Sequence, residues 1–317
     1  MASVFSRSEM DKVIVTGATG FIGKALCFRL ESEGYKAVVL SRNPEKGQRL
    51  FGPKFAVAKW DGANASEWLE YADGAHAIVN LAGENIGSGR WTSQRKQAIL
   101  QSRLDAGKAV VEAVELASVK PRVVVQASAV GFYGSRGNDM IVESSSPGEG
   151  FLAAVAEEWE ESTHAVESFG VRRVIVRSGV VLGAEGGALL QLLKPFRFFA
   201  GGSLGSGQQW FSWIHIKDEV NAILFLLKKK DLTGVFNLSA PHPLPQKDLA
   251  RLLGKILRRP SWFSTPGFML RTILGKLAEE MLLVSQRVTP KRLLEAGYRF
   301  LYPEAEQALK DILKKNT

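Results

Sequence analysis

Short runs of consecutive apolar, mostly β-branched residues alternate along this chain with longer stretches whose apolar positions recur at helical spacing. The runs predict strands at Lys12–Thr16, Ala37–Ser41, Phe55–Trp60, Ala77–Ala82, Arg122–Ser128, Arg173–Arg177 and Val235–Ser239. The longest helical pattern covers Thr92–Ser118, and another covers Leu152–Ser168. Strands apolar on both faces, separated by helices, predict an α/β fold: a doubly wound, Rossmann-type parallel sheet of about seven strands. Right-handed crossovers then bring every strand's carboxyl end to one edge. That edge collects Thr16–Gly20, Ser41–Arg42, Leu81–Glu84, Ser128 and Arg177–Gly179. This domain is placed at residues 12–240. Within it, 183–215 is rich in glycine yet aromatic, and reads as a lid or pocket wall. Residues 241–317 predict a small, mostly helical C-terminal subdomain.

The stretch Val13–Gly23, V-I-V-T-G-A-T-G-F-I-G, carries the first chemical signal. A strand runs into glycines at 17, 20 and 23, and a helix follows at once. Gly17 permits the tight turn, Gly20 lacks the Cβ that would strike a phosphate, and Gly23 lets helix and strand pack closely. Backbone N–H groups at a helix start attract a pyrophosphate. The turn therefore predicts a bound nucleotide.

The expected second strand ends in Ser41-Arg42, where NAD-binding chains carry an acidic residue for the ribose hydroxyls. A carboxylate would repel a 2′-phosphate, whereas an arginine fork clamps it and a serine donates to it. The predicted cofactor is thus NADP(H). Asp61 is a candidate for the adenine amino group, with capping of the next turn as its alternative.

Composition narrows the setting. The chain has 317 residues, 45% hydrophobic and 23% charged, as expected of a globular protein. No run is long enough to span a membrane, and M-A-S-V-F-S-R-S-E-M has no apolar core of a secretory signal. Cys27 is the single cysteine, which excludes an internal disulfide and fits a cytoplasmic setting. The net charge is +9, and residues 242–317 hold 14 Lys and Arg against 7 acids. No nucleic-acid motif accompanies that charge, so it reads as solvated helix faces; neither nucleic acid nor membrane is expected as a partner. No His, Cys, Asp and Glu spacing suggests a metal.

T-G-A-T-G-F-I-G, N-L-A-G (80–83), A-S-A-V-G-F-Y-G (127–134), R-S-G-V-V-L-G (177–183) and W-I-H-I-K-D (213–218) resemble an extended short-chain dehydrogenase/reductase. N-L-A-G-E-N-I, W-T-S-Q-R-K, F-S-W-I-H-I and the ending L-L-V-S-Q-R-V-T-P-K-R-L-L-E-A-G-Y-R-F-L-Y-P are similar to one subgroup. It comprises the epimerase-family proteins often called NAD-dependent epimerase/dehydratase or cell-division-inhibitor-like. The resemblance implies cofactor contacts at Gly17, Thr19, Gly20, Phe21, Ile22, Ser41, Arg42, Leu81, Ala82 and Gly83. Arg103 stands where many relatives place an asparagine facing the cofactor, and Ser128 matches the superfamily's serine at the end of strand five.

The superfamily's Tyr-x-x-x-Lys pair, which shuttles a proton, does not follow. No Tyr or Lys lies between Gly134 and Leu193, and the expected helix reads F-L-A-A-V-A-E-E-W-E-E. An oxidoreductase or epimerase acting on a small carbonyl or alcohol compound would then draw its acid/base from Tyr133, Glu157, Glu158 or a water held by Ser128. The alternative is an NADP(H)-binding regulator with a protein partner. Asn85, Arg90, Trp91, Tyr133, Trp210 and Trp213 are candidates for the substrate pocket. Asp218 fits a helix N-cap, with His215 bracing the loop.

Overall fold

A computed structural model describes residues 11–314 of the protein. The amino-terminal stretch considered as a signal lies outside those residues. Seven strands form one parallel sheet: β1 (Lys12–Thr16), β2 (Lys36–Ser41), β3 (Ala56–Lys59), β4 (Ala77–Asn80), β5 (Val123–Ala129), β6 (Arg172–Ser178) and β7 (Gly234–Leu238). Their order is 3-2-1-4-5-6-7. The order reverses between β1 and β4, which opens a crevice at their carboxyl ends. The register sets Thr16 beside Asn80 and Ser128 beside Arg177.

Successive side chains of a strand point to opposite faces, so each strand feeds two cores. Val13, Val15, Val39 and Val176 pack on one side with Leu26 and Leu30 of helix α1 (Phe21–Ser32). Ile14, Val38, Leu40 and Val124 pack on the other. There they meet Ala106, Val110 and Val114 from a helix over Ser93–Leu116. Cys27 lies in the first core, and burial pushes its thiol well above the ordinary range.

Helix starts follow the sequence. Asn43 caps α2 (Pro44–Phe51) by accepting from Lys46 N at 2.9 Å. Thr92 caps α3 (Ser93–Leu116) through Arg95 N at 3.1 Å. The single helix expected over 152–168 is instead α4 (Phe151–Glu161) and a 3-10 segment, His164–Phe169, ended by Gly170 at φ 74°.

The 183–215 segment contains an unexpected helix, α5 (Leu189–Arg197). Next come α6 (Ile216–Lys228), α7 (Gln246–Leu257), α8 (Gly267–Leu274) and α9 (Ala305–Lys314). Leu193, Trp213, Leu253 and Leu309 share a third core, which fastens α5, α7 and α9 together. His215, not Asp218, caps α6: its Nδ1 accepts from Lys217 N at 3.0 Å. The Asp218 carboxylate instead accepts from Leu301 N and Tyr302 N, both at 2.8 Å. It thereby moors the C-terminal segment to the sheet domain.

Candidate functional site

The glycine turn is built to a tolerance no side chain satisfies. Gly17 has φ 63°, and a Cβ there would stand 2.7 Å from Leu81 O. A Cβ on Gly23 would stand 2.3 Å from Gly17 O. Gly20 differs: its φ is −77°, and its Cβ would meet only Gly17 O, at 3.1 Å. The fold therefore needs Gly17 and Gly23, whereas a Cβ on Gly20 would be tight against one backbone oxygen that need yield only slightly. Thr19 and Gly20 are exposed beside it, and Phe21 and Ile22 are half-buried. Helix α1 starts with no side-chain cap, which leaves first-turn amides for an anion. Thr16 Oγ1 donates to Asn80 Oδ1 at 2.7 Å and accepts from Leu81 N and Ala82 N at 3.0 and 3.1 Å. The loop after β4 is thus pinned against the turn. The glycines at 183, 186 and 187 lie against the Phe21 ring, so the start of the 183–215 segment packs on the first residue of α1.

At the end of β2, Ser41 Oγ donates to Asn43 O at 2.9 Å, and the Arg42 side chain is 79% exposed. Arg42 Nη1 lies 3.9 Å from Glu84 Oε1, and Arg95 Nη1 donates to the other Glu84 oxygen at 2.9 Å. Arg42 follows β2 and Glu84 lies in the loop after β4, and those strands flank β1, so this pair reaches across the crevice. Arg95 was not a sequence candidate; only the return of α3 toward the β4 loop brings it there. The Asp61 carboxylate accepts from Ala63 N and Asn64 N at 2.8 and 3.0 Å, which hold it below its ordinary range. It closes the turn after β3, the capping role given above as its alternative.

Arg103 lies buried in α3. Its guanidinium rests 4.7 Å from the Trp159 ring and donates from Nη1 to Ile99 O and Glu84 O. A Cβ on Gly83 would come within 3.0 Å of Arg103 Cζ, so glycine there admits the guanidinium beneath the β4 loop. Burial pulls the Arg103 pKa down to about 10.

The two candidate hydroxyls, Ser128 and Tyr133, both turn inward. Ser128 Oγ donates to Glu160 Oε1 at 2.6 Å. Glu160 also receives a two-pronged contact from Arg177, Nε to Oε1 at 2.7 Å and Nη2 to Oε2 at 2.8 Å. Arg177 Nη1 donates to Tyr133 Oη at 3.0 Å, and Tyr133 donates to Asn237 Oδ1 at 2.7 Å. Tyr133 is completely buried, so it is not a pocket wall, and burial raises its phenol. Glu157 and Glu158 are exposed on α4. Glu160 was missed. It lies four residues after Ala156 and seven after Ala153, on the helix's apolar face, opposite an arginine inside an apolar strand.

The pocket candidates separate. Trp91 Nε1 donates to Ile86 O at 2.8 Å, its ring meets Phe151 edge-on at 5.3 Å, and Lys96 Nζ lies 4.9 Å from the Phe151 ring. Asn85 is exposed and accepts from Gly87 N; Arg90 is exposed nearby. Trp210 donates to Asn138 Oδ1 at 3.0 Å beneath the Arg287 guanidinium. Trp213 is a correction: it is wholly buried in the third core, where its Nε1 is 3.3 Å from His242 O. Among the described residues no group of acids, His and Cys is placed to hold a metal.

A glycine turn opening α1, at the reversal of a parallel sheet, is what a dinucleotide-binding family would share. Residues 13–239 match the NAD dependent epimerase/dehydratase family. The chain belongs to that family. Residues 265–312 match a domain of unknown function, DUF1731, that follows it. The family's relatives include an Arabidopsis thaliana protein, "Epimerase family protein SDR39U1 homolog, chloroplastic", 41% identical over 99% of this chain and 90% of the relative. "Epimerase family protein YfhF" of Bacillus subtilis is 35% identical over 95% of this chain and 97% of its own length. The human epimerase family protein SDR39U1, solved with NADPH, is 33% identical at a TM-score of 0.85, covering 96% of this chain and 99% of that one. The architecture is thus that of an atypical, extended short-chain dehydrogenase/reductase.

Proposed function

We propose that this protein binds NADP(H) and uses it chiefly as a ligand that it senses, not as a reductant that it consumes. The binding half of the reading rests on the crevice. The Gly17–Gly23 turn and the uncapped start of α1 suit the pyrophosphate. Ser41 and Arg42 suit the 2′-phosphate, and Leu81, Ala82, Gly83 and Arg103 suit the other half of the dinucleotide. The human relative solved with NADPH supports the same choice. The chemistry NADPH could supply there is a hydride.

The observation that carries the second half is the commitment of both candidate hydroxyls. Ser128 is engaged by Glu160, and Tyr133 by Arg177 and Asn237. A carbonyl reduced at the crevice would need a proton, and these two groups are held away from it. A regulator of this kind passes its state to a protein partner.

The test pairs calorimetric NADPH titration with a spectrophotometric screen of small carbonyl and alcohol compounds. Micromolar NADPH binding without turnover is the expected outcome. Turnover that survives Ser128→Ala and Tyr133→Phe would restore the oxidoreductase reading, with a different proton donor.

A further inference from the structure

The aromatic middle of the 183–215 segment and the stretch after α7 meet in one lobe. Phe263 N donates to Gly201 O at 3.2 Å, Thr265 N donates to Ser203 O at 2.9 Å, and the Arg259 guanidinium stacks 4.0 Å from the Phe199 ring. That lobe shows large apolar side chains to solvent. Phe198 and Trp262 are each 81% exposed and Phe268 is 68% exposed, with Phe199, Phe263 and Ile273 also exposed. Exposed apolar groups clustered this densely mark a contact surface.

Charge decides what it contacts. No Asp or Glu occurs between Glu185 and Asp218, or between Asp248 and Glu279. Those two runs carry the whole lobe. Lys194, Arg197, Arg258 and Arg259 are exposed around the aromatics, and none makes an ion pair within 4 Å among the described residues. Glu279, at the far border, already serves Arg271 and Lys276.

The backbone adds an independent sign. Phe199 and Arg258 are the non-glycine residues with positive φ among those described, at 58° and 54°. A bulky aromatic in that region is strained, and such strain clusters where a surface has work to do. Both residues belong to the lobe, and the neighbour of Arg258, Arg259, stacks on the Phe199 ring.

We propose that this lobe docks the protein on an anionic lipid surface. Tryptophan and phenylalanine suit the headgroup boundary, and lysine and arginine around them answer anionic headgroups. No helix among the described residues is long and apolar enough to cross a membrane, so the attachment is peripheral. Arg258 and Arg259 thereby give part of the basic surplus after residue 241 a place beside an apolar patch. The proposal does not depend on the nucleotide reading.

The experiment is vesicle flotation of the full chain with phosphatidylcholine alone and with phosphatidylcholine containing phosphatidylglycerol. Binding to the mixed vesicles alone is expected, with a blue shift of tryptophan emission. Arg258→Gln with Arg259→Gln should weaken partitioning about fivefold per charge removed. Phe198→Ser with Trp262→Ser should abolish it while leaving the melting temperature and NADPH affinity unchanged, because both side chains are exposed. Failure to float with mixed vesicles overturns the proposal, as does equal binding to neutral ones. So does sedimentation showing a dimer that Phe198→Ser with Trp262→Ser dissolves, which would make a second copy the occupant.

Discussion

The carboxylate of Glu160 accepts the Ser128 hydroxyl at 2.6 Å, on the side of α4 that faces β5 and β6. The contact uses the hydroxyl that the superfamily offers to a substrate. Arg177 grips the same carboxylate from β6, so Ser128 is the third member of a buried ion pair.

Ser128→Ala should therefore behave as a stability mutation. Loss of one hydrogen bond to a charged acceptor costs about 1.5–3 kcal/mol, and NADPH affinity should hold within about twofold. Glu160→Ala strands the Arg177 guanidinium and should cost about 3–5 kcal/mol. Urea denaturation with NADPH titration separates the two effects. Unchanged stability in Ser128→Ala, with lost activity on some substrate, would contradict this account.

The glycines give a sharper separation. Gly23→Ala drives a Cβ to 2.3 Å from Gly17 O and should unfold or severely destabilise the chain. Gly20→Ala meets only Gly17 O, at 3.1 Å, with an ordinary φ. Its stability should stay within about 1 kcal/mol of the parent, whereas NADPH affinity should fall about tenfold or more. Retained affinity in a folded Gly20→Ala protein would mean that no phosphate approaches that turn.

Much of this was legible along the chain. Apolar runs located all seven strands because both faces of a parallel sheet are buried. Asp61 closes its own turn with Ala63 and Asn64, the local role its sequence context also offered. What stayed hidden depends on distant packing. Glu160 looks like its exposed neighbours until α4 is laid on β6. Trp213 lies inside the segment read as a lid, yet the third core takes it. His215 displaced Asp218 as the cap because the chain turns three residues before the aspartate, which then faces residues 301 and 302.

Stability should depend on pH through Glu219. It is fully buried on α6, with Ser178 Oγ donating to it at 2.6 Å, and burial pushes its carboxyl up from 4.5 to about 8. Between those values the folded protein keeps a proton that the unfolded chain releases. Its stabilising contribution is complete below pH 4.5 and drains as pH rises toward 8, by at most about 1.4 kcal/mol per unit. Glu219→Gln should flatten that slope. Urea midpoints between pH 5 and 8 check it; identical slopes for parent and variant would remove Glu219 as the cause.

The most direct measurement is calorimetric titration of NADPH and NADH into the parent protein and Arg42→Ala. Arg42 is exposed at the end of β2, so the substitution leaves the fold alone. The account predicts tight NADPH binding, weak NADH binding, and a loss of about 10- to 100-fold for NADPH alone in the variant, the worth of a charge-assisted phosphate contact. Equal affinity for both nucleotides, or no change on removing Arg42, contradicts it.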